Sequence, residues 1–176
     1  MQILTSKRSM LPFISLVLIF ALGVTTSMAQ QKTKIAGKMT CAVIERKMID
    51  VGDTEGHSVA LMEYEGANVS TGKQKFMDAA QVAGMTFGDL VKGNGPHQGY
   101  GKISLDGDVV FWESEGKTTT TLSPEGRPIT TFEGTLSYIK GTGQFENIQG
   151  SGTYNGMYIS RTIWTLEWKG EYSIKK

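Results

Sequence analysis

The stretch Pro128–Ile174, PITTFEGTLSYIKGTGQFENIQGSGTYNGMYISRTIWTLEWKGEYSI, decides the fold class. From Tyr154 to Ile174, seven of the eleven even positions are large apolar or aromatic: Tyr154, Tyr158, Trp164, Leu166, Trp168, Tyr172 and Ile174. The odd positions between them hold Arg161, Glu167, Lys169 and Glu171, with only Met157, Ile159 and Ile163 as large apolar residues. That period is two rather than 3.6, so the segment is extended and packs one aromatic face. Upstream, Phe132, Gly134, Leu136 and Tyr138 alternate with Glu133, Thr135 and Ser137 in the same way. The stretch is therefore read as three β-strands around which the remaining core is built.

The preceding chain supplies the other strands. Tyr100–Leu105 and Asp108–Ser114 flank the dipeptide Asp106-Gly107, whose residues tolerate the positive φ of a tight hairpin turn. The segment after Gly116 continues through Thr118–Thr121 to a turn at Ser123-Pro124-Glu125-Gly126. Ile35, Gly37, Met39, Cys41 and Val43 alternate as one face of a first strand. Ala36, Ala42 and Ile44 on its other face suggest cover on both sides. His57–Gly66 reads as a second strand and Gly66–Lys73 as a turn, within which Asn68-Val69-Ser70 is a glycosylation sequon should the host be a eukaryote. Lys73–Gly93 fits a short helix by propensity, but its glycines and β-rich surroundings place it as an irregular strand. Gly93–Gly101 reads as a glycine-rich loop. The sum is about eight strands, with 22 glycines among 176 residues against about 7% in average usage. Glycines inside strands favour a single antiparallel β-barrel over a sandwich.

Lys7 and Arg8 precede the apolar run Met10–Val24, which ends in Thr25–Gln30 with small residues at Ser27 and Ala29. The run is shorter than the roughly 20 residues of a membrane helix and has the layout of a secretory signal peptide. Cleavage after Ala29 leaves one domain over residues 30–176, secreted or periplasmic, with no membrane span. Loss of Lys7 and Arg8 from 18 basic residues, against 17 acidic ones, gives the remaining chain a formal charge of −1. No basic run is present to neutralise phosphates, so nucleic acid is not an expected partner. A lone cysteine, Cys41, offers no intrachain disulfide and reads as a small buried apolar residue.

YIKGTGQFENIQGSGTYNG, together with the downstream WTLEWKGEYSI, resembles the C-terminal half of small exported β-barrels related to allene oxide cyclase and the dirigent proteins. Gly141, Thr142, Gly143, Phe145, Ile148, Gly150 and Gly152 carry the resemblance. GNGPHQGY is similar to a segment of uncharacterised bacterial members. The resemblance implies a barrel with Phe145 and Ile148 plugging one end. It transfers no catalytic residue onto this chain.

Function is less legible. The aromatic set Trp112, Phe132, Tyr138, Tyr154, Tyr158, Trp164, Trp168 and Tyr172 either fills the barrel or lines a cavity for a small hydrophobic molecule. His97 and Tyr100 complete the candidate ligand site, with the loops around His97 and Pro124 as its mouth, although a lone histidine in such a loop more often hydrogen-bonds the loop's own backbone. Glu63, Glu113 and Arg161 could line a cavity as an ion pair or acid–base set, and a cyclase- or dirigent-type enzyme would need at least two of His97, Tyr100, Glu113 and Arg161 to converge in one pocket within hydrogen-bonding reach. An interaction module would instead show a contiguous exposed apolar patch, and a homo-oligomer fits each reading. Two histidines and one cysteine without short spacing point to no metal site, and no motif calls for a cofactor.

Overall fold

A computed structural model describes residues 31–175; the expected signal peptide lies outside the described residues. Eight strands follow one another: β1 Thr33–Asp50, β2 His57–Ser70, β3 Gln81–Val91, β4 Gly95–Leu105, β5 Asp108–Leu122, β6 Pro128–Gly141, β7 Ile148–Tyr158 and β8 Ile163–Ile174. Each pairs antiparallel with its neighbours in sequence, and β8 pairs with β1 to close the barrel. The all-β, single-barrel expectation holds, and among the described residues the helical content is one 3-10 turn, Gly143–Phe145.

The hairpin at Asp106-Gly107 forms as its sequence dictates, with φ values of 50° and 90°. Tyr158 pairs with Trp164 across the β7–β8 turn, so even positions face inward on both strands. That is why one period-two pattern runs through a hairpin without a break.

The interior is organised by rings lying over glycines of the adjacent strand. Trp168 is the partner of Gly37, Trp112 of Gly101, Tyr64 of Gly84, and Phe132 of Gly156. A Cβ at Gly37 would lie 2.5 Å from the Trp168 ring, and one at Gly101 would lie 2.3 Å from Trp112. These rings are too large to stand upright in a narrow barrel, so each lies sideways in the space a missing side chain leaves.

The lower end, where β1 begins and β8 ends, is closed by a segment that departs from the sequence reading. Residues 71–80 form neither helix nor strand but a loop turned into the barrel, with Phe76, Met77 and Ala80 at 3%, 4% and 0% exposure. Phe76 contacts the rings of Tyr138, Phe145, Trp168 and Tyr172 at 5.2–5.9 Å between centroids. Phe145 and Ile148 are buried beside it, as the plugging role requires. Positive φ at Met77 (48°) and Ala79 (62°) is costly for non-glycine residues, and burial of the plug offsets it.

Gly66–Ser70 is strand rather than turn, and Asn68 is completely buried. Its amide donates to the carbonyls of Phe76 and Met77 at 3.1 and 2.8 Å and accepts from the Trp168 indole at 2.9 Å. Asn68 therefore ties the plug to the wall, and the folded chain offers it to no glycosylating enzyme. Lastly, the outer face of β1 is uncovered, with Ala42 and Ile44 exposed, contrary to the two-sided cover expected.

Asn68→Ala leaves two carbonyls and an indole N–H unsatisfied inside the barrel, and should lower stability by at least about 2 kcal/mol in urea denaturation. Gly101→Ala, which crowds a rigid indole, is expected to cost about 1–3 kcal/mol by the same measurement. Combining it with Trp112→Leu should cost less than the sum of the two single changes.

Candidate functional site

One row of paired residues circles the barrel and defines the site: Gly37, Trp168, Tyr154, Gly134, Gly116, His97, Gly88, Ala60 and Met48. From Gly88 on β3 to Gly134 on β6, His97 is the only inward side chain in that row. Inside the wall it and Tyr154 are the props: a Cβ at Gly116 would lie 2.8 Å from His97 Nε2, and one at Gly134 would lie 2.5 Å from the Tyr154 hydroxyl. A wall without inward side chains settles onto what lies beneath, and its outer surface becomes concave.

That concavity measures about 600 Å³ and is lined by Phe87, Asp89, Pro96, Gln98, Glu115 and Thr135, over the backbone of Gly116 and Gly134 with His97 below. A second one of about 240 Å³ continues it along β4–β6 and adds Tyr100, Glu113 and Ser137. Phe87 and Pro96 supply an apolar flank, Asp89 and Glu115 carboxylates, and no lysine or arginine lines either hollow. Both lie on the outside of the barrel.

His97 belongs to strand β4, not to a loop, and is 9% exposed. Its Nδ1 lies 3.0 Å from the Thr118 hydroxyl and its Nε2 2.7 Å from that of Tyr154, which donates to the Glu115 carbonyl at 3.3 Å. With Tyr154 donating there, the imidazole donates through Nε2–H and accepts at Nδ1 from Thr118. Burial lowers the His97 pKa, and it pushes the Tyr154 phenol up to about 12. Both groups are neutral at neutral pH, so the network is a satisfied brace rather than a proton-transfer pair. Cys41 is likewise a protonated thiol, pushed up to about 12 by burial.

The predicted ligand residues divide into three groups. Phe132, Tyr158 and Trp164 meet near the upper end, with centroids 5.7 and 6.0 Å apart about Phe132. Tyr138 and Trp168 meet at the lower end around Phe76, and Trp112 covers Gly101. These six side chains pack on one another or on other core residues. Tyr100 points outward, 59% exposed and opposite Glu113, so it and His97 sit on opposite sides of the wall. Glu63 faces outward opposite Met85 and Arg161 lies in the exposed β7–β8 turn, apart from the others, whereas Tyr100 and Glu113 stand opposite one another and line the second hollow together. Among the described residues no group of histidine, cysteine and carboxylates could hold a metal ion. Phe87, Asp89, Gln98, Glu115 and Thr135 went unrecognised in the sequence, since each is an ordinary outward strand residue. Only the glycine row behind them singles them out.

His57 fastens the rim of the groove. Its Nδ1 lies 2.5 Å from Asp53 in the β1–β2 turn and its Nε2 2.7 Å from Asp89. The hydrogen bond to Asp89, then that to Asp53, raises the His57 pKa, and His57 lowers that of Asp53.

No family model and no curated protein matches this chain. Among the solved structures that match are two pterocarpan synthase dirigent proteins, each 10% identical and each covering 83% of this chain. The TM-scores are 0.47 and 0.48, with 92% and 97% of those chains covered. The likeness is to a dirigent-type barrel and concerns fold alone.

The His57 clasp carries a pH signature. A raised histidine pKa stabilises the fold below its unfolded value of 6.5 and is lost as pH rises through the folded value. A lowered aspartate pKa stabilises above 3.8 and is lost as pH falls through the folded value. The melting temperature of His57→Gln should therefore fall furthest below that of the parent between pH 3.8 and 6.5, with the gap narrowing on either side.

Proposed function

We propose that this protein is an exported, non-enzymatic binding barrel that holds a small, largely hydrophobic molecule in the outer groove above His97. The observation behind this reading is one hollow of about 600 Å³ that combines an apolar flank, Phe87 and Pro96, with the convergent polar groups of Asp89, Gln98, Glu115 and Thr135. Small-molecule sites are commonly ~300–1,000 Å³, mostly apolar, with a few placed polar groups. The barrel lumen, by contrast, is occupied by its own rings, which supports an outer rather than an inner site. Two carboxylates and no lysine or arginine among the lining residues favour a ligand with an aromatic or aliphatic body and a hydrogen-bond-donating or cationic nitrogen, with Glu115 the carboxylate that His57 does not engage.

Tryptamine, indole-3-ethanol and indole-3-propionate share one apolar body and differ in charge, so they test both parts of the proposal. Amide chemical-shift mapping should place tryptamine at Phe87, Gln98 and Thr135, with about tenfold tighter binding than the propionate. Glu115→Gln should reduce that preference, and Phe87→Ala should weaken all three compounds. Shifts confined to residues around Trp164 and Trp168, or no saturable binding by any of the three, would overturn the reading.

A further inference from the structure

A titratable group is fastened to the wall of the groove. Asp89 lines the larger hollow from β3, and His57 on β2 holds its carboxylate at 2.7 Å through Nε2. His57 pairs with Val91 and Asp89 with Val59, so the imidazole reaches the carboxylate diagonally across the outer face. The other ring nitrogen is engaged by Asp53 of the β1–β2 turn at 2.5 Å. The backbone of His57 is pinned as well: its N–H donates to the Thr54 carbonyl and its carbonyl accepts from the Val51 N–H, each at 3.0 Å. The ring thus stands on a fixed base between two carboxylates, with 17% of its side chain exposed.

Only an imidazolium can satisfy both neighbours. It carries two N–H donors, whereas the neutral ring has one donor and one acceptor, and an ionised carboxylate can only accept. Loss of the proton therefore sets a lone pair against a carboxylate and opens one of the two contacts. Asp53 is the partner that stays, because it lies four residues from His57 in the same turn and also takes backbone N–H groups there. Asp89 is the partner that is freed, and its charge is no longer cancelled.

The other charges around His57 and Asp89 leave that exchange undisturbed. Beside the turn, Asp50 accepts from the Gly52 N–H at 3.1 Å, and Glu55 pairs with Lys92 of the β3–β4 turn at 3.1 Å. On β5, Lys117 stands opposite Pro96 and outside the lining of both hollows, while Glu115 lines both. His97, below the wall, is kept neutral by burial, which lowers its pKa. The hydrogen bond to Asp89, then that to Asp53, raises the His57 pKa, so its proton leaves above pH 6.5.

We infer that His57 is a proton switch on the charge of the groove: protonated, it cancels Asp89, and neutral, it leaves Asp89 to a cationic ligand. The switch is a property of the wall, and its use in recognition rests on the binding groove proposed above. The sign follows from the charges. Below the folded pKa of His57 the groove offers a cation Glu115 alone, and above it Glu115 and Asp89 together, so a cation is bound more tightly as pH rises. By linkage the bound cation must favour neutral His57 and lower its pKa.

Nuclear magnetic resonance tests the switch first without any ligand. The His57 imidazole and the Asp89 carboxyl carbon should titrate together at one pH above 6.5, and an Asp89 carboxyl that does not follow the imidazole would overturn the inference. Tryptamine, whose ammonium like that of lysine keeps its proton to about pH 10, then reads the effect on binding. Its affinity should rise about threefold between about pH 6 and about pH 9, and it should lower the His57 midpoint, whereas indole-3-ethanol should do neither. His57→Gln and Asp89→Asn should each flatten the tryptamine profile. Tryptamine seated at the groove with an affinity indifferent to pH, or an equal rise for indole-3-ethanol, would sink the switch and leave the groove standing. Absence of binding by both compounds would remove the groove as a site, and the Asp89 carboxyl titration of the free protein would still decide the switch.

Discussion

The structure depends on rings laid across glycines. In a narrow closed barrel an indole or phenol on every inward position would exceed the space available, and a smaller side chain on every one would leave voids. Here the two are combined across strands: Trp168 over Gly37, Trp112 over Gly101, Tyr154 over Gly134, Phe132 over Gly156. Such pairing also fixes register. Sliding β8 by one residue against β1 would point Trp168 outward, and a slide of two would bring it onto Ile35 or Met39, where no room is left for the indole.

The same device explains why the hollow lies outside. In the row that circles the barrel Trp168 lies over Gly37, but Gly88, Gly116 and Gly134 fall together around His97 and Tyr154. His97 and Tyr154 support the wall at that place through a neutral, fully engaged hydrogen-bond chain. The interior is thus filled by its own side chains, and the hollow lies on the outer surface. At the lower end a similar economy holds: Phe76 closes the barrel from a loop, and Asn68 answers the loop's carbonyls where no strand can reach them.

Stagger adds the remaining feature. Strands that tilt around a barrel cannot all end level, and each closing strand outruns one of its neighbours. In β1 the overhang carries exposed Met48 and Ile49 among the charged residues Glu45, Arg46, Lys47 and Asp50. Those charges, with the bulge between Val43 and Glu45, block edge pairing, and the overhang stands apart from the groove on β3–β6.

The sequence by itself determined the all-β class, the eight-strand count, the Asp106-Gly107 hairpin, and the inward face of β6–β8, because period-two alternation and turn chemistry are local properties. It also placed Phe145 and Ile148 in the core. Tertiary structure alone decided the roles of Phe76, Asn68 and His97. Residues 71–80 have no period of their own because their partners are the rings of Phe145 and Tyr172, distant in sequence, and the side chain of Asn68 on the preceding strand. Gly93–Gly101 looked like a loop because its glycines were counted along the chain, whereas three of them serve as strand positions at which a neighbouring strand or ring comes close. The groove was illegible for the same reason: Gly88, Gly116 and Gly134 are scattered through 47 positions of sequence and become one row only when four strands take up register.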